Sequence, residues 1–267
     1  MTARLGSLLL FLGVGLFLAA PIAIVAGVSI NEQKTLQFPP EGFSLGWYAE
    51  IVTDPGWRSA FITSVVIATC AAALSLLVAF PLVWSQWRRP VRWARVLEAL
   101  GLTPFILPPV ITALGFLSFW ATIGLYGQSW TVVVSHAIFF VTLPLVTLTL
   151  GFASIEREIV EAAATMGADD RAILRTVVLP LVGPYIVSGY AFAFVLSLNE
   201  YIVAYMVAGF TTETLPIKIF SALRYGYTPT MAAVTVVFVA VAALIFGLIA
   251  RFGDLPRLLG AWAAREG

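Results

Sequence analysis

Long uncharged stretches alternate with short charged ones along this chain of 267 residues. Residues 5–31, 59–87 and 99–155 contain no Asp, Glu, Lys or Arg. A membrane-spanning helix needs about 20 mostly apolar residues, so the first two stretches each predict one span and the third is long enough for two. The break within the third falls at Leu125 to Ser129, where Tyr126, Gly127 and Gln128 read as a short turn. Two further spans fit the end of the chain. The predicted spans are about 5–30, 59–85, 98–123, 130–152, 184–209 and 229–250. The expected fold is therefore all-α: a polytopic membrane protein with six transmembrane helices, forming one transmembrane domain over residues 1–267. The first apolar run is longer than the core of a secretion signal and has one Arg before it, so it reads as a retained span.

Composition strengthens that picture. Only 11% of the residues are charged, where a soluble domain carries about a quarter, and mean hydropathy is +0.97. The net charge of +1 argues neither for nor against nucleic acid, and none is expected as a partner. The placement of the charges says more than their sum. Arg4, Arg88, Arg89, Arg92, Arg95, Arg157, Arg171, Arg175, Arg251, Arg257 and Arg265 fall on one side of the predicted membrane. Lys34, Arg58, Lys218 and Arg224 fall on the other, and eleven against four places both termini in the cytoplasm. The charged segment 156–180 is then cytoplasmic too. So is the tail after Arg251, where Leu258, Leu259 and Trp262 predict a helix lying in the membrane interface.

Several classes of chemistry drop out. The one cysteine, Cys70, cannot form an internal disulfide and reads as a buried packing residue. The one histidine, His136, has no companion His or Cys for a metal and reads as a hydrogen-bonded packing residue. No phosphate-binding G-x-x-x-x-G-K-[ST] run occurs, since the Lys34-Thr35 pair follows Gln33. No intramembrane nucleophile and base, and no metal cluster, appear together, so catalytic residues, cofactor and metal are all expected to be absent. The outer segment 32–57 reads as an interfacial re-entry that anchors the second span. Trp120 and Tyr126 read as interface anchors, and Glu98 as a partner of Arg92 or Arg95. Pro104, Pro108 and Pro109 punctuate the third span, as a loosened gate helix or as a fixed kink.

The segment EAAATMGADDRAILRTVVLP, residues 161–180, is the conspicuous exception to the apolar pattern. Glu161, Ala162, Ala163 and Ala164 favour helix. Gly167 is a natural stop, and Asp169 or Asp170 can cap a second helix, with Arg175 further along. Ala172, Ile173, Thr176 and Val177 give that helix an apolar side; Leu179, Pro180 and Pro184 are expected to end it. The pattern Glu161-Ala162-Ala163, then Gly167, then Leu179-Pro180 resembles the EAA motif of ABC importer permeases, at the matching position between the fourth and fifth spans. That resemblance implies a coupling helix docked against an ATP-hydrolysing subunit, with Glu161, Ala162, Ala163, Gly167, Ala168, Leu179 and Pro180 as the coupling residues. It implies a pore-forming subunit of the bacterial inner membrane, not an enzyme itself. Its partners would be two ATP-binding subunits, a second and related permease, an extracytoplasmic solute-binding protein and membrane lipid.

Glu200, in SLNEYIVAYMVAG, is the outstanding intramembrane charge. It lies about 24 Å along a helix counted from Pro184 at ~1.5 Å per residue. Asn199, Tyr201 and Tyr205 lie near it, and a carboxylate beside aromatic rings suits an ammonium group. Pairing with an arginine, or capping a kink, would explain Glu200 equally well. The stretches from Ser197 to Gly209, TETLPIKIFSALRYGYTPTMAAVTV at 212–236, and FPPEGFSLGWYAEIV at 38–52 resemble the spermidine/putrescine branch of these permeases. The resemblance implies a polyamine cargo moved by alternating access, with Asn199, Glu200, Tyr201 and Tyr205 on the path. Where that branch commonly carries an acidic pair or Asp after Ser-Leu, this chain has Asn199-Glu200, one carboxylate only. Rival readings keep the class and change the cargo to thiamine, ferric iron or a phosphonate, or make the chain a secondary transporter without an ATPase.

Overall fold

The computed structural model describes residues 2–89, 92–226 and 228–252. Helices account for most of these residues, and no strand occurs among them. In chain order the helices are α1 (Thr2–Ser29), α2 (Gly46–Thr53), α3 (Pro55–Arg88), α4 (Arg92–Ile106), α5 (Pro109–Thr122), α6 (Ser129–Phe140) and α7 (Thr142–Ala153). They continue as α8 (Arg157–Thr165), α9 (Asp170–Ile173), a π-helical turn (Leu174–Val178), α10 (Leu179–Asn199), α11 (Ile202–Ala208), α12 (Leu215–Tyr225) and α13 (Thr230–Phe252). The interfacial helix expected around Leu258 and Trp262 lies outside the described residues.

Among the described residues, four helices are long and apolar enough to cross a membrane: Gly6–Ser29, Pro55–Arg88, Asp170–Asn199 and Thr230–Arg251. Two more crossings arise if each of two bent pairs counts as one. The pair α4 and α5 is bent by 113° where one span over 98–123 was expected, and α6 and α7 by 43°. The sharp bend has a plain cause. Pro108 is extended, at φ −56° and ψ 134°, and Pro109 opens α5, where a missing N–H costs nothing.

Two compact units separate among the described residues. The first joins Met1–Phe61 with Ile217–Ala243. Its connection from α1 to α2 is organised by buried Asn31, whose Oδ1 accepts from the Gln33 and Glu41 amides at 3.3 and 3.1 Å. Trp47 Nε1 donates to the Asn31 carbonyl at 2.7 Å, and the Thr230 hydroxyl donates to Glu50 at 2.6 Å. The segment between α1 and α3 thus holds a folded loop and the short helix α2.

The second unit joins Ile62–Pro216 with Leu244–Gly267. Its core brings together Ala79 and Val83 of α3, Leu145, Leu148 and Phe152 of α7, Val160 and Ala163 of α8, and Ile173, Val178 and Val182 beyond them. Apolar side chains gain little by leaving lipid, so such helices are held by close packing and by polar contacts. Gly189 of α10 illustrates the first, since a Cβ there would fall 2.9 Å from the Pro144 Cα of α7.

Three expectations change. Cys70 is exposed on α3 rather than buried, because an apolar run does not separate core positions from lipid-facing ones. Trp120 is 5% exposed and donates to Ser135 Oγ at 2.8 Å, so it packs inside rather than anchoring at a surface. Glu98 accepts from the Thr149 hydroxyl at 3.2 Å and makes no ion pair with Arg92 or Arg95.

Candidate functional site

Two places in the second unit carry chemistry. The first is the charged segment. α8 buries Val160 and Ala163 on one face and leaves Glu161, Ala162 and Ala164 exposed. Its end is closed by two reversed hydrogen bonds, from the Gly167 amide to the Ala164 carbonyl at 2.9 Å and from the Ala168 amide to the Ala163 carbonyl at 3.1 Å. That closure needs a left-handed residue, and Gly167 supplies it at φ +88°. Met166, just before it, is 83% exposed. Asp169 then caps α9, its carboxylate accepting from the Ala172 amide at 2.7 Å.

Asp170 has a different task. Arg88 donates to its Oδ1 through Nε at 3.0 Å and Nη2 at 2.6 Å, and Arg89 donates to Oδ2 at 3.3 Å. Asp170 lies in the charged segment, outside every predicted span. The Arg88 hydrogen bonds, joined by the charges of Arg88 and Arg89 and opposed by partial desolvation, hold its carboxyl below the ordinary carboxylate range. The end of α3 is thereby tied to the start of α9. Beside the tie, Trp87, Arg88, Arg157, Val160 and Glu161 line an open cavity of about 260 Å³. The Phe152 ring lies 5.5 Å from that of Trp87 and 6.1 Å from that of Trp84.

Leu179 and Pro180 do not end the second helix. The backbone runs without a stop from Asp170 to Asn199, through the wide turn Leu174–Val178, where the Leu179 amide donates to the Leu174 carbonyl. A π turn next to a proline is a common way for a helix to absorb the missing donor. Glu161, Ala162, Ala163, Gly167 and Ala168 are thus brought together at one turn, and Leu179 with Pro180 stands further along the chain, exposed.

The second place is a break in the following helix. α10 ends at Asn199, and Glu200 is extended at φ −77° and ψ 128° before α11 begins. The Glu200 carboxylate caps α11: Oε1 accepts from the Val203 amide at 2.8 Å and Oε2 from the Ala204 amide at 3.0 Å. His136 Nε2 of α6 lies 3.0 Å from Oε2, and His136 Nδ1 lies 2.8 Å from the Ser197 hydroxyl. The His136 and Glu200 side chains are 1% and 8% exposed. Asn199 turns back on its own helix, donating to the Val195 carbonyl at 2.8 Å. The Tyr201 and Tyr205 rings stack at 5.4 Å and 22°.

Residues 42–254 match the family described as binding-protein-dependent transport system inner membrane component. The chain belongs to that family. This permease is 30% identical over 231 residues to the spermidine/putrescine transport system permease protein PotC of Haemophilus influenzae, covering 85% of this chain and 88% of that one. It is 30% identical over 262 residues to the putrescine transport system permease protein PotI of Escherichia coli, covering 94% and 89%. Its fold is similar to that of a bacterial ABC transporter involved in the import of the acidic polysaccharide alginate, with TM-score 0.71 at 16% identity over 95% of this chain and 98% of that one. The permease is thus an all-helical inner-membrane component of an ABC importer.

The sequence singles out the residues that form the Gly167 turn, and Glu200 at the helix break. It missed the Asp170 tie to Arg88 and Arg89, and the pairing of Glu200 with His136. A usable signal existed for the second. Glu200 and His136 are both ionisable residues inside apolar runs, and each needs a polar partner that lipid cannot supply.

Proposed function

We propose that this permease forms half of the membrane path of a polyamine importer and works by alternating access. Six spans, with both termini in the cytoplasm, put the turn at Gly167 on the cytoplasmic side. There it docks on one of two ATP-binding subunits, while a second, related permease completes the path and a solute-binding protein delivers cargo outside. Glu161, Ala162, Ala163, Gly167 and Ala168 form the docking turn, and Leu179 and Pro180 carry its movement into α10. The path passes the break where Asn199, Glu200, Tyr201 and Tyr205 cluster, with the stacked tyrosine rings offering aromatic faces to an ammonium group.

The observation that carries this reading is the turn itself: an exposed, Gly-closed surface set on the buried core that joins α3, α7 and α8. A force applied at such a turn moves packed helices rather than bending a loop. The polyamine cargo rests on the similarity to the two polyamine permeases. ATP hydrolysis by the transporter, reconstituted with its ATP-binding subunits and binding protein, tests the cargo. Putrescine or spermidine stimulates it; stimulation only by thiamine, ferric iron or a phosphonate retires the polyamine and keeps the importer.

A further inference from the structure

We infer that Glu200 and His136 are positioning residues which lock the break between α10 and α11, and that the Glu200 carboxylate does not bind the cargo. This rests on reading the chain as a permease, and not on the identity of the solute.

The carboxylate is already occupied. It receives two backbone amides from the first turn of α11 and the imidazole of α6. A carboxylate only accepts, so Nε2 carries a proton in this pair, and a neutral ring then accepts the Ser197 hydroxyl at Nδ1. One side chain on α6 therefore grips the last turn of α10 through Ser197 and the first turn of α11 through Glu200. At the break the Glu200 amide donates back to the Ser197 carbonyl at 3.3 Å, and the Tyr201 carbonyl accepts the first bond of α11 from the Tyr205 amide at 2.9 Å. In a membrane segment a broken helix must find hydrogen-bond partners for its exposed ends within the protein. Glu200 meets that need for α11, and His136 fixes where Glu200 points.

The packing agrees with a fixed element. Val203, Ala204, Val207 and Ala208 of α11 are each no more than 1% exposed. The Gly127 amide donates to the Val207 carbonyl at 3.1 Å, and the Ser129 and Thr212 hydroxyls lie 2.8 Å apart, so the C-terminal end of α11 is tied to the start of α6 and the turn before it, as its N-terminal end is to α6 through Glu200 and His136. α11 is a short rigid piece whose angle to α10 is set at Glu200.

A cargo ligand and a lock respond differently to substitution. Glu200→Gln, His136→Leu, the double variant and His136→Gln are assembled with the partner subunits in liposomes. Uptake of putrescine and spermidine is followed, together with ATP turnover without cargo. The lock predicts that Glu200→Gln and His136→Leu each slow uptake of both polyamines by about tenfold, the scale of one lost charge-assisted hydrogen bond. The putrescine-to-spermidine ratio stays within twofold, the double variant is no slower than either single one, and His136→Gln, which restores a donor, recovers most of the rate. ATP turnover without cargo shifts by one common factor in both single variants and the double. A changed polyamine ratio in Glu200→Gln with normal behaviour of His136→Leu makes Glu200 a cargo ligand and overturns the inference. So does multiplication of the two single effects. If the wild-type transporter takes up neither polyamine, the cargo reading fails alone, and the cargo-free turnover of the same variants still decides the lock.

Discussion

The Gly167 turn and the Glu200 break both reverse or redirect the chain between helices, and they are built from opposite materials. At the turn, a glycine and exposed charges do the work. Gly167 adopts a left-handed conformation with no atom within 4 Å of where a Cβ would sit, and Asp170 meets its arginines at the surface. At the break, a buried carboxylate and imidazole do it, with every hydrogen bond internal. The solvent explains the difference. A turn in water can leave backbone groups to water and can be changed cheaply, whereas a break within an apolar segment must satisfy its own donors. The turn is therefore suited to meeting a partner, and the break to keeping an angle.

Substitutions can sharpen this contrast. The largest effect is expected for Glu200→Leu, which leaves the Val203 and Ala204 amides and His136 without their acceptor. Stranding buried partners of a charge costs about 3 kcal/mol, so the thermal unfolding midpoint of the detergent-solubilised permease falls by several degrees. Gly167→Val comes next. The space is open, so the cost is the backbone strain alone, about 1–2 kcal/mol, confined to the turn. Its unfolding midpoint changes less than that of Glu200→Leu, while ATP-driven uptake falls more than stability does. Equal losses of stability in the two variants would erase the distinction between them.

Asp170→Asn is expected to do least. Exposed ion pairs contribute little, and salt screens them. Because Arg88 and Arg89 lower the folded carboxyl below its ordinary range, the stabilisation is present above that range and is lost as pH falls through the folded value. Wild type and Asp170→Asn should therefore differ slightly at neutral pH and low salt, and converge on acidification or in high salt. A difference that survives both conditions would mean the tie to α3 is more than electrostatic.

Much of this was legible in the residues. Long uncharged runs announce membrane helices, and a glycine between two helix-favouring charged stretches announces the turn at Gly167. Asp169 as a cap was readable because capping is local. The role of Asp170 was not, since its partners stand at the far end of α3. The same holds for His136 and Glu200: two lone ionisable groups in apolar runs each demanded a partner, but only the packing of α6 against the break shows that they serve each other. The prolines misled in both directions. Pro108 and Pro109 sit at a 113° bend inside what reads as one span, while Pro180 and Pro184 lie within a continuous helix. Proline removes a donor in either case, and whether the helix bends or widens depends on what is packed around it.

The most direct test of the coupling turn is a disulfide between it and a partner. In a Cys70→Ser background, Met166→Cys and Leu179→Cys are each paired with single cysteines placed along the groove of the ATP-binding subunit. The account predicts that Met166→Cys cross-links, that ATP-driven uptake then stops, and that reduction restores it, while Leu179→Cys stays unlinked. Cross-linking through Leu179→Cys but not through Met166→Cys would contradict it, by moving the contact from the Gly167 turn to the start of α10.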